Sequence, residues 1–304
     1  MLSRWPLWLR SPLIGLLLVL STTLLTLSLL LPALLKLVLP LGAARTVCDR
    51  ACISVASTWV AINNAWIGAA SPVPWDVQGL EGLHRDGWYL VSPNHQSWVD
   101  ILVLQRIFHR RIPFLKFFLK RELIWVPVIG LAWWGLDFPF MKRGRGAGAR
   151  QADLQATRDA CEKFKRMPTS VINFVEGTRF TPAKHARQSS PYRHLLKPKI
   201  GGIGIALATL GPQFEALLDV TLVYPQGRPS FGDLLRGQVG AVIVRVRQRP
   251  IPPDLLNGDP VDDAAYRARL AAWVEAQWRD KDALIDTLLA GSATPSETQR
   301  KIRP

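Results

Sequence analysis

One histidine and one aspartate, five positions apart, have the residue types and the spacing that proton-transfer chemistry requires. His95 and Asp100 belong to the segment SPNHQSWVD (residues 92–100), which separates an apolar run typical of a strand from an apolar-periodic run typical of a helix. Ser97 and Asp100 have the spacing of a capping box, so we expect Ser97 to cap the helix and Asp100 to lie in its first turn. His95 then lies in the preceding loop, where its ring can fold back onto Asp100. Because a carboxylate fixes the tautomer of an imidazole and stabilises its cation, the pair could act as a general base.

A structural interpretation of the same pair competes with the catalytic one. In it, His95 closes a turn and Asp100 only caps a helix, which is the commoner outcome for two such residues considered alone. No Ser or Cys stands in a G-x-S-x-G context, so the sequence indicates no nucleophile elbow. A hydroxyl that His95 activates would therefore belong to the substrate.

A second segment repeats this order of a buried-type strand followed by charged residues and a glycine. It reads VINFVEGTRF at residues 171–180, and charges at the carboxyl end of a strand in an α/β sheet lie where such folds bind ligands. Arg179 offers a planar fork of donors suited to phosphate, and Gly177 lets the backbone approach a ligand. Glu176 would then orient Arg179 or a substrate hydroxyl. The alternative is a surface Glu–Arg pair at a turn.

The composition favours a membrane surface as partner. The chain has a net charge of +15 and contains 12 Trp, and its mean hydropathy is +0.11, a combination that suits an anionic membrane. Nucleic acid is the competing partner for such charge, but no helix-turn-helix, RNP or zinc pattern supports it, so we expect no specific nucleic-acid binding. The three cysteines (Cys48, Cys52 and Cys161) lack metal-ligand spacing, which predicts no metal site and fits a reduced, cytoplasm-facing location.

The N-terminal part predicts a membrane anchor. Residues 12–35 carry no charge and are numerous enough to span a bilayer, so we interpret 1–70 as a retained anchor, with a cleaved signal peptide as the alternative. A less apolar stretch at 53–70 would be an interfacial helix or the return leg of a hairpin, and the charge bias does not separate these topologies.

Residues 71–74 read SPVP, and the two prolines interrupt regular secondary structure. Beyond them, short β-rich runs alternate with helical ones up to about residue 250. This pattern predicts an α/β domain (71–250) with a mixed, largely parallel central sheet flanked by helices. An amphipathic C-terminal helix (251–290) packs on the domain, and a disordered tail (291–304) follows. The predicted strands are 88–91, 112–114, 138–141, 171–174, 216–223 and 241–246, and the predicted helices are 98–108, 147–164 and 203–210.

Four short motifs occur in one order along residues 85–230: His95-x-x-x-x-Asp100, Phe140-x-Lys142-Arg143, Glu176-Gly177-Thr178-Arg179 and Val223-Tyr224-Pro225. Together they resemble the four blocks of the glycerolipid acyltransferases, membrane enzymes that acylate glycerol-3-phosphate, lysophosphatidic acid and related lysophospholipids. The extended first and third blocks are similar to the branch with lysophosphatidate and lysocardiolipin acyltransferases. The fourth block departs from the family's aliphatic strand, because Tyr224 precedes Pro225.

The resemblance implies a role for each block. His95 would be the general base on the free hydroxyl of a lysolipid, with Asp100 as its partner. Glu176, Gly177, Thr178 and Arg179 would bind the phosphate, and Lys142 and Arg143 would assist. The fourth block would line the path of the acyl chain. Backbone N–H groups at the helix start near Ser97 are our own suggestion for an oxyanion site.

The implied reaction moves a fatty acyl group from an acyl thioester to a lysophospholipid, with 1-acyl-glycerol-3-phosphate as the first candidate. Lysophosphatidylglycerol and lysocardiolipin are competing acceptors, and a silent lipid-binding protein is the non-catalytic alternative. The donor would be acyl-CoA or an acyl carrier protein as co-substrate, without cofactor or metal. The implied location is a bacterial-type inner membrane with the catalytic domain facing the cytoplasm.

Overall fold

The computed structural model describes residues 5–39, 42–70, 73–141, 167–256 and 258–293. The N-terminal part forms two long helices, α1 (Leu7–Val38) and α2 (Gly42–Ala70), which pack side by side as a hairpin. Among the described residues, α1 is the one helix long and apolar enough to cross a membrane. Leucine and valine side chains remain exposed along its outer side, which suits contact with lipid.

Two buried cations attach the two ends of α1 to the rest of the molecule. Near its start, Arg10 donates hydrogen bonds to the backbone oxygens of Ala70 and Arg236. Near its end, the Lys36 ammonium lies 2.9 Å from a carboxylate oxygen of Asp49 and 2.8 Å from one of Asp137. The hairpin is thus held along its length against the α/β domain.

A six-stranded sheet forms the centre of that domain, in the order β1-β8-β7-β2-β6-β3. All neighbouring strands run parallel except the antiparallel pair β7–β8, so the predicted mixed, largely parallel sheet is confirmed. A small parallel pair, β4–β5, lies beside it. The strands are β1 (Trp75–Gln78), β2 (Tyr89–Pro93), β3 (Leu115–Phe117), β4 (Leu119–Lys120), β5 (Phe140–Met141), β6 (Ser170–Ile172), β7 (Ala216–Val223) and β8 (Val242–Arg249).

Helices cover both faces of the sheet. Along β2, Val91 packs with α2 and α3 on one face, while Leu90 packs with α6 and α8 on the other, as the two-residue period of a strand requires. The helices of the domain are α3 (Val99–Phe108), α4 (Ile129–Gly135), α5 (Pro182–Gln188), α6 (Ile200–Leu210), α7 (Phe231–Leu235) and α8 (Ala264–Ala293). Short 3-10 turns cover Arg121–Trp125, Gly211–Gln213 and Pro253–Leu255.

Several details differ from the sequence-based prediction. The strand expected at 112–114 lies at Leu115–Phe117, and strand β1, which was not predicted, forms the edge of the sheet beside β8. The C-terminal helix continues to Ala293, past the predicted start of the tail at 291. The predicted helix at 147–164 and the rest of the predicted tail lie outside the described residues.

Candidate active site

His95 lies in the loop between β2 and α3, and its ring folds back onto the first turn of α3 as predicted. Its Nδ1 atom is 2.8 Å from Oδ2 of Asp100. The imidazole also stacks on Phe174, with 4.0 Å between the ring centroids, so two contacts fix its plane. Because a carboxylate only accepts, a neutral ring carries its proton on Nδ1, which leaves the Nε2 lone pair available. No described residue forms a hydrogen bond with Nε2, which can therefore accept a proton from a ligand.

Asp100 is completely buried, and four hydrogen-bond donors surround its carboxylate. Oδ2 accepts from the backbone N–H groups of Gln96 (2.6 Å) and Ser97 (2.8 Å) as well as from His95. Oδ1 accepts from the Tyr224 hydroxyl at 2.7 Å. Buried carboxylates require this degree of pairing, because an unpaired one would lose its hydration without compensation.

The helix start differs from the prediction in one respect. α3 begins at Val99, so Trp98 rather than Ser97 is the N-cap, and only half of the capping box forms: Asp100 accepts from the Ser97 N–H. The Ser97 hydroxyl accepts from the Val99 N–H at 3.1 Å and donates to the backbone oxygen of Pro229. The N–H groups of Gln96 and Ser97 are therefore occupied by Asp100, and the suggested oxyanion site there is not supported.

Asn94 connects this loop to the neighbouring strand. Its side-chain amide donates to the backbone oxygen of Leu222 (2.9 Å) and accepts from the N–H of the same residue (2.7 Å). The amide thus imitates a strand residue, and it extends the pairing of β2 with β7 by one position. This fixes the backbone immediately before His95.

Glu176 does not contact Arg179, one of the two partners considered for it, and its carboxylate instead binds backbone N–H groups. Its side chain is 1% exposed, and its two carboxylate oxygens accept from the backbone N–H groups of His95 (2.7 Å) and Leu196 (3.1 Å). The Phe180 N–H donates to the His95 oxygen at 2.8 Å, so the two motif loops are joined by two bonds at His95. Burial raises the pKa of Glu176 to about 7, and the two backbone donors oppose this shift.

The remaining residues of the third motif form a turn with cations around it. Gly177 has a φ angle of +65°, a conformation that glycine adopts without strain. The Arg179 guanidinium lies 4.3 Å from the centre of the Trp98 ring. Lys184 donates to the Thr178 hydroxyl (2.7 Å) and to the Arg179 backbone oxygen (3.0 Å).

Two more cations lie beside this turn. The Lys199 side chain packs against Gly177, and the Arg228 guanidinium lies 4.3 Å from the centre of the Phe180 ring. The sequence had shown Lys184 and Lys199 only as members of a basic run, and it gave no signal for Arg228. Lys142 and Arg143, which were predicted to assist at the phosphate, lie outside the described residues.

An apolar cavity of about 600 Å³ lies between the N-terminal hairpin and the domain. It reaches Trp98 at the start of α3, and its wall combines residues from α1 to α4, among them Leu25, Trp59, Leu102 and Trp133. Tyr224 and Pro225 are not among the lining residues. The fourth motif therefore contacts Asp100 and does not line this cavity, and its role in the acyl path stays a prediction.

A comparison with known families identifies the chain. The model of the family described as Acyltransferase matches residues 75–242, more than half of the chain, and this range contains both motif loops. The chain belongs to the Acyltransferase family. This acyltransferase contains, among its described residues, no group of three or more His, Cys, Asp and Glu arranged to hold a metal ion.

Individual relatives carry more specific names. The chain is 28% identical to 1-acyl-sn-glycerol-3-phosphate acyltransferase 2 of Brassica napus over 70% of its own length and 55% of the relative's. It is 27% identical to 1-acyl-sn-glycerol-3-phosphate acyltransferase gamma of Mus musculus, over 62% and 49% of the two chains. The chain spans about half the length of the curated relatives it matches.

A solved structure shares the fold. The crystal structure of the 1-acyl-sn-glycerophosphate (LPA) acyltransferase PlsC from Thermotoga maritima superimposes with a TM-score of 0.51 at 18% sequence identity. The match covers 89% of this chain and 97% of that one, so it includes the N-terminal part as well as the α/β domain.

Proposed function

We propose that this acyltransferase moves a fatty acyl group from an acyl thioester to the free hydroxyl of 1-acyl-glycerol-3-phosphate, which gives phosphatidic acid. The observation that carries the proposal is the His95–Asp100 pair, whose geometry leaves Nε2 without a hydrogen-bond partner among the described residues, at the carboxyl end of the parallel strands. The names of the relatives contain the same acceptor.

In the proposed mechanism, His95 Nε2 takes the proton of the acceptor hydroxyl while the oxygen attacks the thioester carbonyl. Asp100 stabilises the imidazolium that forms, because it accepts the Nδ1 hydrogen. When the tetrahedral intermediate collapses, the C–S bond breaks and the imidazolium returns its proton to the leaving thiolate. The acyl group passes directly to the acceptor, without a covalent enzyme intermediate.

The acceptor phosphate binds at the turn of the third motif in this proposal. Gly177, Thr178 and Arg179 form the turn, and Lys184 adds a second cation 2.7 Å from the Thr178 hydroxyl. Lys142 and Arg143 assist from the second motif. Glu176 contributes indirectly, since it fixes the His95 backbone rather than contacting the anion.

The apolar cavity suits the fatty acyl chains. Its volume of about 600 Å³ lies within the usual range of ligand pockets, and Trp98 places one end of it beside the catalytic loop. Because helices α1 and α2 supply part of its wall, residues 1–70 act as anchor and as part of the binding site. Residues 71–250 are the catalytic domain, and the C-terminal helix supports it.

We place the enzyme at a bacterial-type inner membrane, with the catalytic domain facing the cytoplasm. The long apolar α1 and the net charge of +15 support an anionic membrane surface as partner. The cytoplasmic side is also where acyl-CoA or an acyl carrier protein would deliver the donor.

The test uses membranes that contain the full chain, labelled acyl-CoA and a panel of lysophospholipids. We expect acylation of lysophosphatidic acid by these membranes and none by membranes that lack the protein. A second experiment replaces acyl-CoA with an acyl carrier protein as the donor. Preference for lysophosphatidylglycerol or lysocardiolipin would change the acceptor but keep the reaction. Acylation of no acceptor with either donor would contradict the proposal.

A further inference from the structure

The tyrosine that interrupts the fourth motif is the residue that completes the surroundings of Asp100. Tyr224 follows β7, is 7% exposed, and donates its hydroxyl hydrogen to Oδ1 of Asp100 at 2.7 Å. The two residues are 124 positions apart in the sequence. Burial raises the pKa of the Tyr224 phenol well above its usual value, so the hydroxyl is a hydrogen-bond donor throughout the working pH range.

The two carboxylate oxygens of Asp100 accept unequal numbers of hydrogen bonds. Oδ2 receives three hydrogens, from the His95 ring and from two backbone N–H groups, while Oδ1 receives only the Tyr224 hydroxyl among the described residues. Without that hydroxyl, Oδ1 would be buried and unpaired. The phenol therefore fixes the rotation of the carboxylate, and with it the direction from which Oδ2 meets the imidazole.

The hydroxyl also affects the charge that the imidazole experiences. A donor on Oδ1 draws negative charge away from Oδ2, which weakens the stabilisation of the imidazolium. Removing it should leave a more basic carboxylate beside His95. The ring would then hold its proton to a higher pH, and less of it would be available as a base at neutral pH.

We propose that Tyr224 is a positioning residue of the catalytic pair, which orients Asp100 and sets how strongly it holds the His95 proton. The proposal rests on the proposed function for its kinetic part. It also explains why a tyrosine stands at this position of the fourth motif, where the resemblance led us to expect an aliphatic residue lining the acyl path.

The other charged groups around the pair are unchanged by removal of the phenol oxygen. They are Glu176 and Arg179 from the third motif, Arg228 from the segment after β7, and Lys281 from α8, whose ammonium interacts electrostatically with Glu176. A change in His95 titration on removal of the Tyr224 hydroxyl would therefore report on Asp100.

The test compares Tyr224→Phe with Tyr266→Phe in the full-length protein. Tyr266 is also buried and donates to the Leu255 backbone oxygen at 3.0 Å, in the packing of α8, so it controls for the loss of one buried hydroxyl. For Tyr224→Phe we expect kcat/KM to fall about tenfold, since the lost bond is to a charged group. The acidic limb of its pH–rate profile should move to higher pH, and Tyr266→Phe should keep the wild-type rate and profile.

A second readout does not depend on turnover. The chain has five histidines, so histidine-labelled protein allows the His95 imidazole to be followed by NMR and assigned with His95→Ala. We expect its titration midpoint to rise in Tyr224→Phe. If the midpoint rises while the wild type acylates no acceptor, the positioning role stands and the proposed function fails.

Two results would overturn the proposal. One is a Tyr224→Phe enzyme with the wild-type rate and titration; the other is a slower enzyme whose His95 titration is unchanged, which would make the hydroxyl merely structural. If Tyr224→Phe proves too unstable to assay, its effect is measured in the Asp100→Asn background. There the proposal predicts no further loss of activity, and a full additional tenfold loss would contradict it.

Discussion

The two loops that meet at this site each carry a buried carboxylate, and the partners of the two carboxylates differ. Asp100 accepts from a side chain that can change its protonation state, the His95 imidazole, whereas Glu176, among the described residues, accepts from backbone N–H groups alone. Asp100 can therefore respond to a proton on its neighbour, while Glu176 can only hold a segment in place. Two acidic residues at the ends of adjacent parallel strands thus serve the same histidine, one through its ring and one through its backbone.

The largest expected effect is on the Asp100 side of this comparison. In Asp100→Asn, the amide keeps the shape of the side chain but can present its NH2 group to Nδ1, which favours the wrong imidazole tautomer. We expect kcat to fall by about 10³- to 10⁴-fold with intact membrane association, as measured by acyl transfer in isolated membranes. A loss of less than tenfold would show that Asp100 is not the partner of the base.

Glu176→Gln should have a smaller effect, because only backbone positioning is lost. One of its two backbone bonds is retained by the amide oxygen, so we expect kcat to fall about tenfold to a hundredfold. If the loss equalled that of Asp100→Asn, the distinction between the two carboxylates would be wrong.

The pH dependence of folding stability gives a second test of Glu176, with the same variant. The pKa of Glu176 is about 7, above the ordinary value of 4.5, so between these values the folded state holds a proton that the unfolded chain releases. Stability from this group therefore falls as pH rises from about 4.5 to 7. We expect the thermal unfolding midpoint of the wild type to fall over this interval, and the fall to be smaller in Glu176→Gln. Equal slopes would contradict the assignment.

Arg179→Ala tests whether the third motif binds the phosphate of the acceptor. The guanidinium is 4.3 Å from the Trp98 ring and does not contact Glu176, so its loss should leave the His95–Asp100 pair in place. We expect the KM for the phospholipid acceptor to rise about tenfold with little change in kcat. Arg187→Ala, an exposed arginine on α5, is the control. An unchanged KM would remove Arg179 from the phosphate site.

The smallest effect on the chemistry is expected at Lys281. Its buried ammonium donates to the backbone oxygens of Ser92 (2.8 Å) and Val220 (2.6 Å) and pairs with Asp219, which joins α8 to the strand that enters the catalytic loop. Lys281→Met should reduce stability by about 2 kcal/mol, since Asp219 retains Arg249 as a partner. Thermal unfolding and kcat are the measurements, and an unchanged midpoint would show that the contact contributes nothing.

The sequence predicted what depends on local spacing. The approach of His95 to Asp100 requires only a strand, a short loop and a helix start, and all three are visible in the pattern of residues 88–108. The parallel sheet was predictable for the same reason, because apolar strands alternate with helical segments. The N-cap was displaced by one residue, although the Ser97 hydroxyl still accepts from the N–H of Val99 at the helix start.

The missed features all depend on contacts between distant segments. Tyr224 meets Asp100 because β7 pairs with β2, and Glu176 accepts a hydrogen bond from Leu196, 20 positions further along the chain. Strand β1 is four residues long and half buried, so its sequence pattern alone does not indicate a strand. The strand forms through its pairing with β8. Lys281 resembled a charge on the polar face of an amphipathic helix, although it points into the sheet.

The central claim is that His95 removes the proton of the acceptor hydroxyl. The most direct test compares acyl transfer by the wild type, His95→Ala and His84→Ala in membranes with equal protein content. His84 is exposed and 3.0 Å from the Glu215 carboxylate, so it is a histidine–carboxylate pair away from the site. We predict that His95→Ala loses at least about 10²-fold in rate while it stays in the membrane, and that His84→Ala keeps the wild-type rate. Wild-type turnover by His95→Ala would contradict the account.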